Sequence, residues 1–135
     1  MALLCIGQYV DRQDATKHCI ENSLIFLGFD PKDPKYYDIH EVFEEIPVGT
    51  LVAVKSWSPT EDVGLTIKGL AIVSETGIYH TMFNGVPRRA RKVRFIWAGN
   101  ENFGKPEDGW GNIRNGTLYF EPSPSVITRI VSLVK

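Results

Sequence analysis

Cysteine is scarce in the 135-residue sequence, and Cys5 and Cys19 are too few for a disulfide framework or a zinc cluster. Each has apolar neighbours, which suits a buried structural thiol. No apolar run approaches the roughly 18 residues of a membrane span, and residues 1–6 lack the basic start and longer apolar stretch of a signal peptide. A cytoplasmic protein without a membrane partner is expected. Repeats, linkers and low-complexity stretches are missing, so residues 1–135 are read as one domain. There is no Gly-rich phosphate loop, no nucleophile elbow and no paired-histidine metal motif, and His18, His40 and His80 are not spaced as a local metal set. No cofactor is implied, and a non-enzymatic protein is expected. The net charge of −1 leaves no basic excess, which excludes a protein that coats nucleic acid with its whole surface.

That near-zero charge conceals an asymmetry. Residues 1–62 carry a net −6 and residues 63–135 a net +5, so a polarised surface fits a nearly neutral chain. A hydrophobic content of 43% with 23% charged residues is that of a folded domain. Apolar, β-branched runs at 3–10, 24–29, 51–55, 65–74, 78–83 and 93–97 read as strands, each bounded by polar or turn residues. Thr76-Gly77 and Asn84-Gly85 read as hairpin turns, and Gly28 as a place of close approach. Asp38 and Glu41 resemble a capping box before Ile39, Val42, Phe43 and Ile46, the apolar stripe of a helix, and a weaker helix is expected over 14–21 after Asp14. Residues 99–116 read as a long loop flanked by Trp97 and Trp110, and 126–134 as a closing strand, with a helix capped by Ser125 as the alternative. The sum is an α+β fold, a small and mostly antiparallel β pseudo-barrel with two flanking helices.

Two groups of residues carry chemistry. Arg88, Arg89, Arg91, Lys92 and Arg94 crowd one short stretch, where arginine forks suit phosphate, while a solvated strand with gatekeeper charges is the structural alternative. Alternation puts Lys92 and Arg94 on one face with Ile96, and Val93, Phe95 and Trp97 on the other. Gln8 and Tyr9 stand at the end of the first strand, and Ser56 and Trp57 at the end of the third. A flat side chain beside an amide or hydroxyl is what a base drawn out of its stack requires; packing against the core is the alternative for each aromatic.

Several segments in order resemble the PUA-like superfamily, in particular EVE-like domains related to YTH readers and found at the start of modification-dependent restriction GTPases. They are Cys5-Ile6-Gly7, the strand running to Gly28-Phe29-Asp30, the amphipathic helix, Val48 to Ser56, Ile67 to Val73, and Val93 to Trp97. The resemblance implies a pseudo-barrel holding a flipped, often modified nucleobase of DNA or RNA. It places Gln8, Tyr9, Ser56 and Trp57 around the pocket, with Trp97 as a wall and the basic stretch on phosphates. A reader domain of this kind depends on an effector protein for any downstream action. A free-nucleotide binder and a protein-interaction module of phage or mobile-element origin are the alternatives.

Overall fold

The first strand is apolar on both faces, so a layer must cover each. A computed structural model, which describes residues 2–58, 63–106 and 111–134, provides both layers. Strand β1 (Leu4–Gly7) sends Leu4 and Ile6 into one core cluster and Cys5, with the preceding Leu3, into another. It pairs in parallel with β5 (Leu51–Ser58) and antiparallel with β9 (Leu118–Phe120). Beyond β5 lie β6 (Gly64–Val73) and then β8 (Val86–Gly104), which also pairs with β4 (Leu24–Phe26) and β7 (Tyr79–Phe83). These seven strands, antiparallel except for β1 and β5, curl into a half-barrel. The hairpin of β2 (Tyr9–Val10) and β3 (Gln13–Asp14) stands off the sheet, turning through Asp11 and Arg12, both at positive φ.

Helix α2 (Tyr37–Glu45) packs Phe43 against Val52, Val54, Ala71, Val73 and Val93 on the concave face, with Ile46 beside it. Its start lies one residue before Asp38, and Asp33 caps the short 3-10 turn that leads into it. Helix α4 (Pro124–Val131) buries Val126 and Ile130 against Cys5, Ala53, Leu65 and Leu70 on the other face. Helix α1 (Thr16–Asn22) places Cys19 against Phe26, Phe83 and Ala90. The described part of the fold is completed by the single turn α3 (Gly111–Arg114). Among the described residues no helix is long and apolar enough to cross a membrane.

Three expectations change. Residues 124–131 are helical, not a closing strand. The Ser123 side chain accepts from the Val126 amide, Pro124 occupies the first turn, and the i, i+4 pairs Val126/Ile130 and Ile127/Val131 suit a helix. The expected loop after residue 98 begins as strand, since β8 runs on to Gly104, and Trp110 lies outside the described residues. The last apolar strands are not regular either: Leu70 pairs with Trp97 and Ala71 with Phe95, leaving Ile96 as an extra residue. This bulge breaks the alternation, so Phe95 joins the concave core while Ile96 and Trp97 pack on the α4 side.

Gln8 supplies a seam between β1 and β4. Its side-chain amide donates to the Phe26 carbonyl at 2.8 Å and accepts from the Phe26 amide at 2.9 Å, as a partner strand would. The Cys19 thiol donates to the same Gln8 oxygen. Close by, a Cβ on Gly28 would stand 2.8 Å from a Val10 methyl, so glycine is what permits the approach read from the sequence.

Candidate functional site

The parallel pairing of β1 and β5 ends at Gly7 and Lys55. From there one chain turns into the β2–β3 hairpin and the other continues against β6, so the two ends part. A crevice of about 530 Å³ opens between them, within the range of small-ligand sites. Tyr9, Ser56 and Trp57 line it together with Lys55, Lys68 and Asn115. Tyr9 is 69% exposed and Trp57 partly buried, with the Arg114 guanidinium 6.0 Å from the indole centroid. The indole Nε1–H is enclosed and has no acceptor among the described residues.

Two polar arrangements shape this crevice. Lys68 is the extra residue of a bulge in β6, because Val54 pairs with Gly69 and Lys55 with Ile67. The bulge aims its ammonium at Asp14, 2.6 Å away. Burial opposes ionisation of Asp14, yet hydrogen bonds from Lys68 and Thr16 prevail and hold its carboxyl below the ordinary range. At the other side Lys55 donates to the carbonyls of Arg114 and Gly116, both at 2.8 Å, and so ties the 114–117 segment to β5. That segment is fixed in turn by an ion pair. Arg114 Nε reaches Glu121 Oε1 at 3.0 Å and its terminal nitrogen reaches Oε2 at 2.6 Å, with both side chains buried.

Not every residue expected around a ligand is here. Gln8 is buried and spent on the β4 seam, and Trp97, which packs on the same α4-side cluster as Trp57, does not line the crevice. Lys55, Lys68 and Asn115 were not anticipated. The bulge that aims Lys68 and the turn that carries Asn115 come from strand register, which local sequence does not encode; Lys55 could have been found, as a lysine closing a buried apolar strand.

The two buried arginines of the basic stretch of β8 are spent on the fold. Arg91 is 1% exposed and donates to the carbonyls of Phe43, Glu44, Ile46 and Glu75, four acceptors that include the end of α2. Arg88 holds the Gly28 carbonyl and Asp11, and Arg89 pairs with Glu44. Lys92 sits over the Tyr79 ring, which leaves Arg94 exposed. Reading these five as one phosphate clamp is therefore corrected at Arg91 and Arg88, whose terminal nitrogens are taken by carbonyls and by Asp11 and so offer no fork to a phosphate. A larger cavity, about 770 Å³, lies beside Arg88 and Arg89, with His80, Phe29 and Ile78 in its wall.

The chain matches no protein-family model, and no curated protein is detectably similar to it. Function must therefore be argued from geometry. The histidines and thiols are dispersed: His18 bonds Thr81, His40 bonds the Phe29 carbonyl, and Cys19 bonds Gln8.

Burial moves the titration of several groups, three of which bear on stability between pH 8 and 10.5. Lys55 falls from its ordinary 10.5 to about 8, while Cys5 and Cys19 rise from 9.0 to about 12. Between pH 8 and 10.5 the unfolded chain keeps the Lys55 proton that the folded chain has released, so this lysine makes stability rise with pH. Above pH 9 the two unfolded thiols ionise while the folded ones stay protonated, which lowers stability. Urea titrations should show stability rising from pH 8 to about 9 and then declining, and Lys55→Met should abolish the rise and keep the decline. A rise that survives in Lys55→Met would assign it to another group.

Proposed function

We propose that this domain is a non-enzymatic reader that takes a flipped, modified nucleobase of DNA or RNA into the crevice between β1 and β5. One observation carries the reading: Tyr9 from one chain segment and Ser56 and Trp57 from another line the same crevice. A base needs a flat apolar surface and a few polar groups at its edge. Trp57 and Tyr9 supply the surface, and Ser56, Ser58 and Asn115 supply the polar groups. The volume suits one base with its sugar, and the curled, mostly antiparallel sheet is compatible with the PUA-like pseudo-barrel that the EVE-like resemblance implies. Gln8 then acts on the pocket indirectly, by closing the barrel wall beside Tyr9. In this reading the exposed Arg94, at the far end of β6 from the crevice, is not needed for base capture. Any action on the nucleic acid comes from an effector partner.

Fluorescence polarisation with single-stranded oligonucleotides carrying plain, methylated or hydroxymethylated bases tests the reading. Trp57→Ala should weaken the preferred oligonucleotide by about 10- to 100-fold, the worth of one stacked base, and remove the preference among bases. Unchanged affinity and preference in a folded Trp57→Ala protein would refute the pocket.

A further inference from the structure

We propose that Lys55 is a specificity-determining residue that selects a ring presenting an oxygen acceptor to the floor of the crevice. The inference rests on the base-reading assignment and adds to it the chemical class of base, one with a keto oxygen at its inserted edge.

Lys55 is only 6% exposed, yet it lines the crevice. An ammonium has three donors. Two are spent on the Arg114 and Gly116 carbonyls, and among the described residues nothing accepts the third. Among the described residues the charge is also uncompensated. Asp14, the carboxylate of the crevice, is taken by Lys68 and Thr16, and Glu121 is taken by Arg114 and the Ser123 amide. The remaining neighbours are the Cys5 thiol, held protonated by burial, and the Tyr119 ring at 5.2 Å, whose hydroxyl burial likewise keeps neutral. A buried cation with neither a counter-charge nor a full set of acceptors is costly. An incoming acceptor relieves that cost.

Access to the amine depends on the residue opposite. Gly7 pairs with Lys55 in the parallel ladder and lines the same crevice, and a Cβ at Gly7 would lie 3.6 Å from the Lys55 Nζ. The bare backbone leaves that approach open. Guanine carries a keto oxygen where adenine carries an amino group, and uracil and thymine carry one where cytosine carries an amino group; the amino hydrogens would face the ammonium. Because burial lowers Lys55 to about 8, ligand capture through the charged amine weakens as pH rises through 8, and a bound oxygen raises the amine back toward its ordinary value.

The test compares oligonucleotides with one central base between abasic sites: guanine against 2-aminopurine, and uracil against 2-pyrimidinone, pairs that differ by one oxygen. Wild type should prefer each oxo base by about 10- to 100-fold, the worth of one hydrogen bond to a charged group. Lys55→Met, and Gly7→Ala, which leaves the lysine anchor intact, should each reduce the preference to near unity. In ¹³C spectra of wild-type protein the Lys55 Cε signal should titrate near pH 8 when free and at higher pH with the guanine oligonucleotide bound. If the Trp57 indole signal moves on binding but wild type treats both members of each pair alike, or Gly7→Ala keeps the full preference, the Lys55 inference falls and the reader assignment stands. If no oligonucleotide moves the Trp57 indole, both fall.

Discussion

Truncating Glu121 to alanine is expected to cost about 3–5 kcal/mol, the usual penalty for removing one partner of a buried ion pair. Arg114 and Glu121 are among the most enclosed charged side chains, and Glu121 also accepts from the Ser123 amide at the start of α4. Removing the carboxylate leaves the guanidinium desolvated, frees the cap region of α4 and releases the segment whose carbonyls hold Lys55. Stability and ligand capture should therefore fall together. Glu121→Gln keeps the shape and one acceptor and should fall between wild type and alanine. Urea unfolding followed by circular dichroism measures the loss; a cost under about 1 kcal/mol, typical of exposed pairs, would mean that the pair does not organise this region.

Arg91→Ala is expected to cost a similar amount, about 3–5 kcal/mol, because a hydrogen bond from a charged donor contributes roughly 1.5–3 kcal/mol and the four carbonyls share the two terminal nitrogens of one group, so that their contributions do not simply add. Helix α2 ends at Ile46 and Pro47 without a left-handed cap, so the guanidinium of β8 does what a C-terminal glycine motif does elsewhere. Its charge also meets the negative end of the helix dipole. Against a total stability of roughly 5–15 kcal/mol, the alanine variant stands near the threshold of folding. Arg91→Lys keeps the charge and loses the planar fork, so it should be destabilised but folded. At matched folded fraction, Arg91→Lys should bind oligonucleotides as wild type does. A weakened affinity in a fully folded Arg91→Lys protein would return Arg91 to phosphate contact through its fork.

The contrast between Arg91 and Trp57 shows what a sequence can disclose. Strand positions were legible because apolar runs and their turn residues are local signals. Asn84-Gly85 forms its hairpin turn with both residues at positive φ, and Phe43 is buried as its helical stripe requires. Trp57 and Ser56 were legible as a strand end, since alternation stops there. The fate of the arginines was not, because the acceptors of Arg91 lie at residues 43 to 46 and 75, and those of Arg88 at 11 and 28. Only tertiary pairing brings them together. Trp97 was misplaced for a related reason: the Ile96 bulge shifts the alternation by one residue, and no local residue announces it. Helix α4 was misread because β-branched residues outweighed the Ser123 cap and the Pro124 that follows it.

The charge asymmetry takes a different meaning in the folded chain. Asp11 and Glu44 from the acidic half neutralise Arg88 and Arg89 from the basic half, and Asp14 neutralises Lys68. Much of the polarity of the sequence is thus internal pairing. Among the described residues, what remains at the crevice is the uncompensated charge of Lys55.

The central claim is that the crevice between β1 and β5, and not the larger cavity beside Arg88, receives the base. The most direct test is an ¹H–¹⁵N titration of labelled protein with the oligonucleotide it binds best, with the three tryptophan indoles assigned separately. We predict saturable shifts of the Trp57 indole and of the Tyr9, Ser56 and Asn115 amides, with the Trp97 indole unmoved. Shifts confined to Gly28–Lys32 and Ile78–Arg89, with Trp57 unchanged, would contradict the account.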